Sequence, residues 1–305
     1  MSIRRVGSVG NPARSSIWRR HDAAWRHMCS SVTTTPAPAA CEYQVWDEIW
    51  DEAAMNFKRQ SWKTGDLKDF GIDKMLHHNV MKHKTLACAL ANSIGGKMHA
   101  NQTDDGVDYR AILASAMEAD PSICTSVAAD LQRFKVVDPA TEGLLGVFLF
   151  FKGVQAIGCA RVAHHYWTER GEAGKLIARM LQSEMADVYG VDIHPGCQLG
   201  RGVTIDHATG VTLGETCVIG DNVYIMHDVT LGATGTSGEH DRHPKVGNNV
   251  FLGAKSTVLG NITIGDGATI AAAAVVTKSV PPGHTAVGIP AKLIAPKTLN
   301  LSQAK

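Results

Sequence analysis

Residues 191–231 read VDIHPGCQLGRGVTIDHATGVTLGETCVIGDNVYIMHDVTL, and residues 245–281 read KVGNNVFLGAKSTVLGNITIGDGATIAAAAVVTKSVP. Counting in sixes from Ile193 lands on Leu199, Ile205, Val211, Cys217, Val223 and Val229. Counting in sixes from Val246 lands on Leu252, Val258, Ile264, Ile270 and Val276. That step is neither the helical nor the strand period. Hexapeptide repeats build a parallel β-helix. Three six-residue faces close one turn of a prism, and the apolar residue heading each face fills its axis. The glycines that follow some of these residues (Gly200, Gly247, Gly253, Gly265) allow tight corners. The prism is expected over 191–281, interrupted by an excursion loop at 232–245 that breaks the count and carries a close cluster of charge, Glu239, Asp241, Arg242 and Lys245.

Working outward, the stretch before the prism has a different rhythm. From 41 to 190 the reading is helical. Val45, Ile49, Ala53 and Met55 suit a first amphipathic helix. Further helices are expected over Met75–Met98, ending near Gly95-Gly96, over Asp108–Ala119, over Pro121–Phe134, as one long apolar helix over Leu144–Trp167, and over Ala173–Val188. Short connections favour an antiparallel bundle. The fold class is therefore α+β, an all-α domain followed by an all-β parallel β-helix. Residues 282–305 are read as a C-terminal tail entered through Pro281-Pro282-Gly283.

Residues 1–40 stand apart. Arg4, Arg5, Arg14, Arg19, Arg20 and Arg26 lie among Ser, Ala and Val with Asp22 as the single acid, the composition of an organellar transit peptide followed by a linker, TTTPAPAA. Arginine density slightly favours mitochondrion over plastid; a merely disordered basic tail, compatible with a cytoplasmic place, is the alternative. Over the whole chain, 44% apolar and 19% charged residues, with a net charge of +1, give no reason to expect nucleic acid or an anionic membrane as partner. No apolar run reaches membrane-spanning length. Seven scattered cysteines without a CxxC pair read as reduced thiols, neither a disulfide framework nor a zinc site.

A prism wall is made of small and apolar residues, so ionisable clusters in it need a reason. They occur at Asp192–Pro195, Asp206–Gly210, Tyr224–Asp228 and Asp241–Lys245. Asp192 lies less than one turn before His207, so it is expected near it across a corner of adjacent coils; an Asp–His pair is the minimum unit for a general base. Arg242, in the loop, offers a planar fork suited to a carboxylate. The histidines lack recognised metal-ligand spacing, so no metal is expected.

At these residues the chain resembles the serine O-acetyltransferases. The matching stretches are DIHPG (192–196), DHATGVTLGET (206–216), IGDNVYI (219–225), DRHPK (241–245), LGNITIG (259–265) and VPPGHTAVGIPAKLI (280–294). In the helical part, FKGVQAIGCAR (151–161) and Asp138-Pro139-Ala140 match as well. The resemblance implies a left-handed β-helix, against the usual crossover hand. It implies acetyl transfer from acetyl-CoA to the hydroxyl of L-serine, without a metal, for cysteine biosynthesis. His207 is implied as the general base and Asp192 as its orienting partner. Asp206 and Asp138 are implied to hold the serine ammonium and hydroxyl, and Arg242 and His243 its carboxylate. Acetyl-CoA is implied to lie along Ala233, Thr234, Ala254, Ala272 and Lys292. Trimers, joined through the helical domains into a hexamer, are also implied. So is a complex with O-acetylserine sulfhydrylase through a C-terminal Ile, against which stands the ending Ser302-Gln303-Ala304-Lys305.

The alternatives are an acetyltransferase of the same architecture for a sugar or xenobiotic hydroxyl, or an inactive scaffold. The first leaves Arg242 and Asp138 with no ionic groups to meet.

Overall fold

The computed structural model describes residues 40–58, 71–101, 106–235 and 240–296. The leader and linker reading, apart from its last residue, falls outside them.

Helix α1 (Ala40–Lys58) buries Val45, Trp46, Ile49 and Ala53 along one stripe, and Met55, counted with that stripe in the sequence, faces solvent. The expected single helix over 75–98 is two elements. Helix α2 (Ile72–Leu76) runs into one π-helical turn (His77–Met81), and α3 (Leu86–Asn101) follows. Gly95-Gly96 does not end α3. A side chain on Gly95 would meet the Arg110 backbone at 2.8 Å, so the glycine lets α4 (Tyr109–Ala119) cross α3 closely. Asp108 caps α4 by accepting from Ala111 N at 3.0 Å, and α5 (Ser122–Val137) follows.

The apolar run from Leu144 is also broken. Helices α6 (Leu144–Phe150) and α7 (Lys152–Glu169) meet at 67°, with Phe151 extended between them. Gln155 explains how the break is tolerated. Its Nε2 donates to the carbonyls of Phe148 and Leu149, each at 3.1 Å, which the interrupted helix leaves without donors. Glu52 of α1 closes the other end of α6 by accepting from Leu144 N and Leu145 N at 3.0 and 2.9 Å. No single helix among the described residues is long and apolar enough to cross a membrane. Helix α8 (Gly171–Tyr189) ends on the left-handed Gly190 and leads into the prism.

The prism has about five turns and three parallel sheets. The first sheet contains β1 (Val191–Ile193), β4 (Val211–Leu213), β7 (Thr230–Gly232), β10 (Thr257–Leu259) and β13 (Val275–Val276). The second contains β2 (Gln198–Leu199), β5 (Val218–Ile219), β8 (Lys245–Val246) and β11 (Thr263–Ile264). The third contains β3 (Thr204–Ile205), β6 (Tyr224–Ile225), β9 (Phe251–Leu252), β12 (Thr269–Ile270) and β14 (Thr285–Val287). Against β14 lies β15 (Lys292–Ile294), antiparallel. Pro281-Pro282-Gly283 therefore does not end the prism, and the segment read as tail adds these two strands.

Register corrects the unbroken count of six. Thr212 sits beside Thr230 and Thr257 beside Val275, eighteen residues on. Val191 sits beside Val211 and Thr204 beside Tyr224, twenty on. Two extra residues therefore lie between β3 and β4, at 206–210. Ile193, Leu199 and Ile205 share their ladder position with Leu213, Ile219 and Ile225. Val211, Cys217, Val223 and Val229 belong to a second buried ladder, two residues earlier. Both ladders point inward because strand side chains alternate, so a slip of two still lands on apolar residues and hides itself. The excursion loop shows directly, since Thr230 sits beside Thr257, twenty-seven residues on.

Helices and prism are joined by a buried ion pair. Arg161 of α7 donates through Nε and Nη2 to the two oxygens of Asp130 of α5, both at 3.0 Å. The same guanidinium reaches the carbonyls of Leu199 and Gly200, and Val203 N donates to Asp130 Oδ1 at 2.8 Å. Gly153 completes the joint, because a Cβ there would sit 1.9 Å from the Ile205 carbonyl oxygen. The start of α7 thus lies directly on β3, next to the extended corner.

Candidate active site

The corner at 206–210, between the third and first sheets, carries the two surplus residues. His207 and Ala208 both take left-handed backbone conformations, with φ of 58° and 62°. Ala208 is wholly buried, whereas the His207 side chain is 69% exposed. The corner thus turns one methyl inward and one imidazole outward. Asp206 Oδ2 lies 3.5 Å from His207 Nε2 and accepts from the Tyr224 hydroxyl at 2.9 Å. The His227 ring stands edge-on to His207, centroids 5.7 Å apart, and its Nδ1 is buried without a hydrogen-bond partner. The Lys152 ammonium donates to the Thr209 hydroxyl.

Asp138, just past α5, accepts from Ala140 N and from the Thr141 hydroxyl, each at 2.9 Å. Burial first, then the Asp206 carboxylate and the Asp138 charge, push the Tyr224 phenol well above its ordinary range. Asp138, Asp206, Tyr224, His207 and His227 therefore form one acidic and imidazole-bearing group.

A second group occupies the corner between the first and second sheets. Asp192, outward on β1, accepts from Gln182 Nε2 at 2.6 Å. His194 follows it, with Gly196 N donating to its Nδ1 at 3.0 Å and Trp167 edge-on at 5.0 Å. Arg242 Nη2 donates to Glu215 Oε2 at 2.9 Å, and this guanidinium holds Glu215 below the usual carboxylate range. His243 is buried, and Thr216 N donates to its Nδ1 at 3.2 Å. Burial and then the neighbouring Arg242 lower the His243 pKa, which keeps the ring neutral at neutral pH. Lys245 fastens the loop by donating to Asp241 Oδ1 at 2.6 Å and to the Thr216 carbonyl at 2.8 Å.

Within one chain, then, the carboxylate beside His207 is that of Asp206. Asp192 does not pair with His207, because the twenty-residue coil carries it level with Thr212, past the corner. Its charge acts on His194 instead. The expected coenzyme positions divide in the same way. Ala254 and Ala272 follow β9 and β12 on the His207 side, stacked through Lys255 N to the His227 carbonyl at 3.0 Å and Ala273 N to the Ala254 carbonyl at 2.8 Å. Lys292 is on β15, at the end of the third sheet. Ala233 and Thr234 follow β7 on the Arg242 side, where Gly260 N donates to the Gly232 carbonyl at 2.9 Å. Sequence reasoning marked the 224–228 window but gave Tyr224 no part, and it missed Gln182 and Glu215. A coil length of twenty would have set Tyr224 beside Thr204 and so next to Asp206.

Residues 45–159 match the family described as serine acetyltransferase, N-terminal. Residues 190–226 match the hexapeptide repeat of succinyl-transferase, and residues 243–278 the bacterial transferase hexapeptide. The chain is 39% identical over 291 residues to probable serine acetyltransferase 1 of rice, covering 95% of this chain and 92% of that one. To the mitochondrial serine acetyltransferase 3 of Arabidopsis thaliana it is 39% identical over 251 residues, 82% of this chain and 62% of the other, less than two thirds of that relative's length. A soybean serine acetyltransferase structure complexed with serine is 38% identical and superposes with a TM-score of 0.75, covering 85% of this chain and all of that one. A serine acetyltransferase structure in complex with CoA is 34% identical, with a TM-score of 0.73 over 83% of this chain and all of that one. With its helical part matched to that family and the rice relative covered nearly end to end, the chain belongs to the serine acetyltransferase family.

Proposed function

We propose that this chain transfers the acetyl group of acetyl-CoA to the hydroxyl of L-serine, with His207 as general base. The carrying observation is the 206–210 corner, which holds an exposed imidazole at a fixed backbone conformation beside the Asp206 carboxylate. His207 takes the hydroxyl proton as the serine oxygen attacks the acetyl carbonyl. The tetrahedral intermediate collapses, the C–S bond breaks, and the proton passes from the imidazolium to the departing sulfur. O-acetylserine and CoA leave. The serine ammonium suits Asp206 and Asp138, and its carboxylate suits Arg242 beside the neutral His243.

Those two halves sit at different corners of one prism. We assign the complete site to the cleft between neighbouring copies in a trimer. There the Arg242 corner of one chain faces the His207 corner of the next, and Asp192 of one copy reaches His207 of the other. Acetyl-CoA lies in the same cleft, with Ala254, Ala272 and Lys292 on one wall and Ala233 and Thr234 on the other. Two trimers joined through their helical domains make a hexamer. The arginine-rich leader and the mitochondrial relative support an organellar, mitochondrial address.

The test is release of CoA thiol with serine, homoserine or a galactoside as acceptor. Release with serine, and little with the other two, is expected. No release with serine alongside release with the galactoside overturns the reading.

A further inference from the structure

Asp206 Oδ2 is claimed twice, by the Tyr224 hydroxyl at 2.9 Å and by His207 Nε2 at 3.5 Å. Among the described residues no hydrogen bond reaches Oδ1. The phenol is itself held in place, because the Tyr224 ring stacks on Phe251 with centroids 5.4 Å apart and planes 22° from parallel. Tyr224 lies on β6, whose register with β3 sets it beside Thr204, next to the corner. From these contacts we propose that Tyr224 is a positioning residue for the acceptor site. Its hydroxyl pins one oxygen of Asp206 so that the other is left for the substrate ammonium.

The contact has a second consequence. A hydrogen bond donated to a carboxylate oxygen withdraws charge from it, so the phenol weakens the pull of Asp206 on a proton at His207. Removing the phenolic hydroxyl frees Oδ2 to pair more strongly with the imidazolium, the form that cannot act as a base. Burial and the two nearby carboxylates keep the phenol protonated, so it remains a donor across the working pH range. Tyr224 acts through Asp206 and does not touch the reacting atoms.

The inference rests on the acetyl-transfer reading and can fail separately from it. Tyr224→Phe keeps the ring and its stacking and deletes only the donor. In the oligomeric enzyme, serine KM should rise about tenfold, the loss of roughly one charged hydrogen bond. The kcat should change by less than KM, and the acidic limb of the kcat/KM profile should move to higher pH. Packing alone would not move that limb. Unchanged serine KM with a superimposable pH profile overturns the positioning role while leaving the acetyl-transfer reading standing. Wild-type enzyme that releases no thiol with serine overturns the acetyl-transfer reading itself. A double-mutant cycle tests the role a second way. If Tyr224 acts through Asp206, adding Tyr224→Phe to Asp206→Asn leaves serine KM where Asp206→Asn put it. Independent, multiplying effects contradict the role.

Discussion

His207 shows how much of this site is local. Its backbone sits at a φ of 58° in a corner two residues longer than those that follow, with Ala208 as its inward counterweight. The imidazole is therefore held outward by the chain's path. His207→Ala leaves Asp206 and Tyr224 bonded to each other, and it should lower kcat by about two to four orders of magnitude. Steady-state thiol release measures this, and a kcat near wild type would remove His207 from the base role. The corner was legible because DHATG is contiguous, and so was DRHPK. Glu215, Gln182 and Tyr224 were not. Each meets its partner across another coil or a helix, Arg242 with Glu215, Asp192 with Gln182, and Asp206 with Tyr224. Such contacts depend on coil length, and the count of six concealed the coils that hold twenty residues. The same slip explains why Asp192 was expected beside His207.

Among the elements, periodicity found the helices but not where they stop. Helix α3 passes through Gly95-Gly96 because α4 needs the space, and α6 ends at Phe150, with Phe151 extended ahead of Lys152-Gly153. In the first case a residue of another helix decides, Arg110; in the second Gln155, five residues on, takes up the freed carbonyls. The Asp130–Arg161 pair belongs to this scale. It ties α5 and α7 to the first coil, and it is enclosed where the helices meet the wall. Removing one partner strands the other charge out of water. Arg161→Ala should therefore cost about 3–5 kcal/mol in denaturant unfolding. A loss below about 1 kcal/mol, the level of an exposed pair, would show that the joint is held by apolar packing alone. Because Gly153 sets α7 directly on β3, loosening this joint also disturbs the 206–210 corner, and kcat should fall along with stability.

For the whole molecule the decisive fact is that one prism carries two separate groups of ionisable side chains at two of its corners. Asp138, Asp206 and His207 belong to one corner, and Asp192, Arg242 and His243 to the other. In the proposed reading a single chain thus offers the base and the carboxylates for the serine ammonium in one place and the groups for its carboxylate in another. Chains that are defective in different halves should rescue each other. His207→Ala chains and Arg242→Ala chains are each expected to form oligomers with little activity. When they are dissociated together and reassembled at equal amounts, every site takes one corner from each of two neighbouring chains. A site is whole when its first corner comes from an Arg242→Ala chain and its second from a His207→Ala chain, so random assembly makes about one site in four complete. Activity near a quarter of wild type is expected from the mixture, and almost none from either variant reassembled alone. If both corners served a site within one chain, no mixed oligomer would hold a complete site, and the mixture would stay as inactive as its parts.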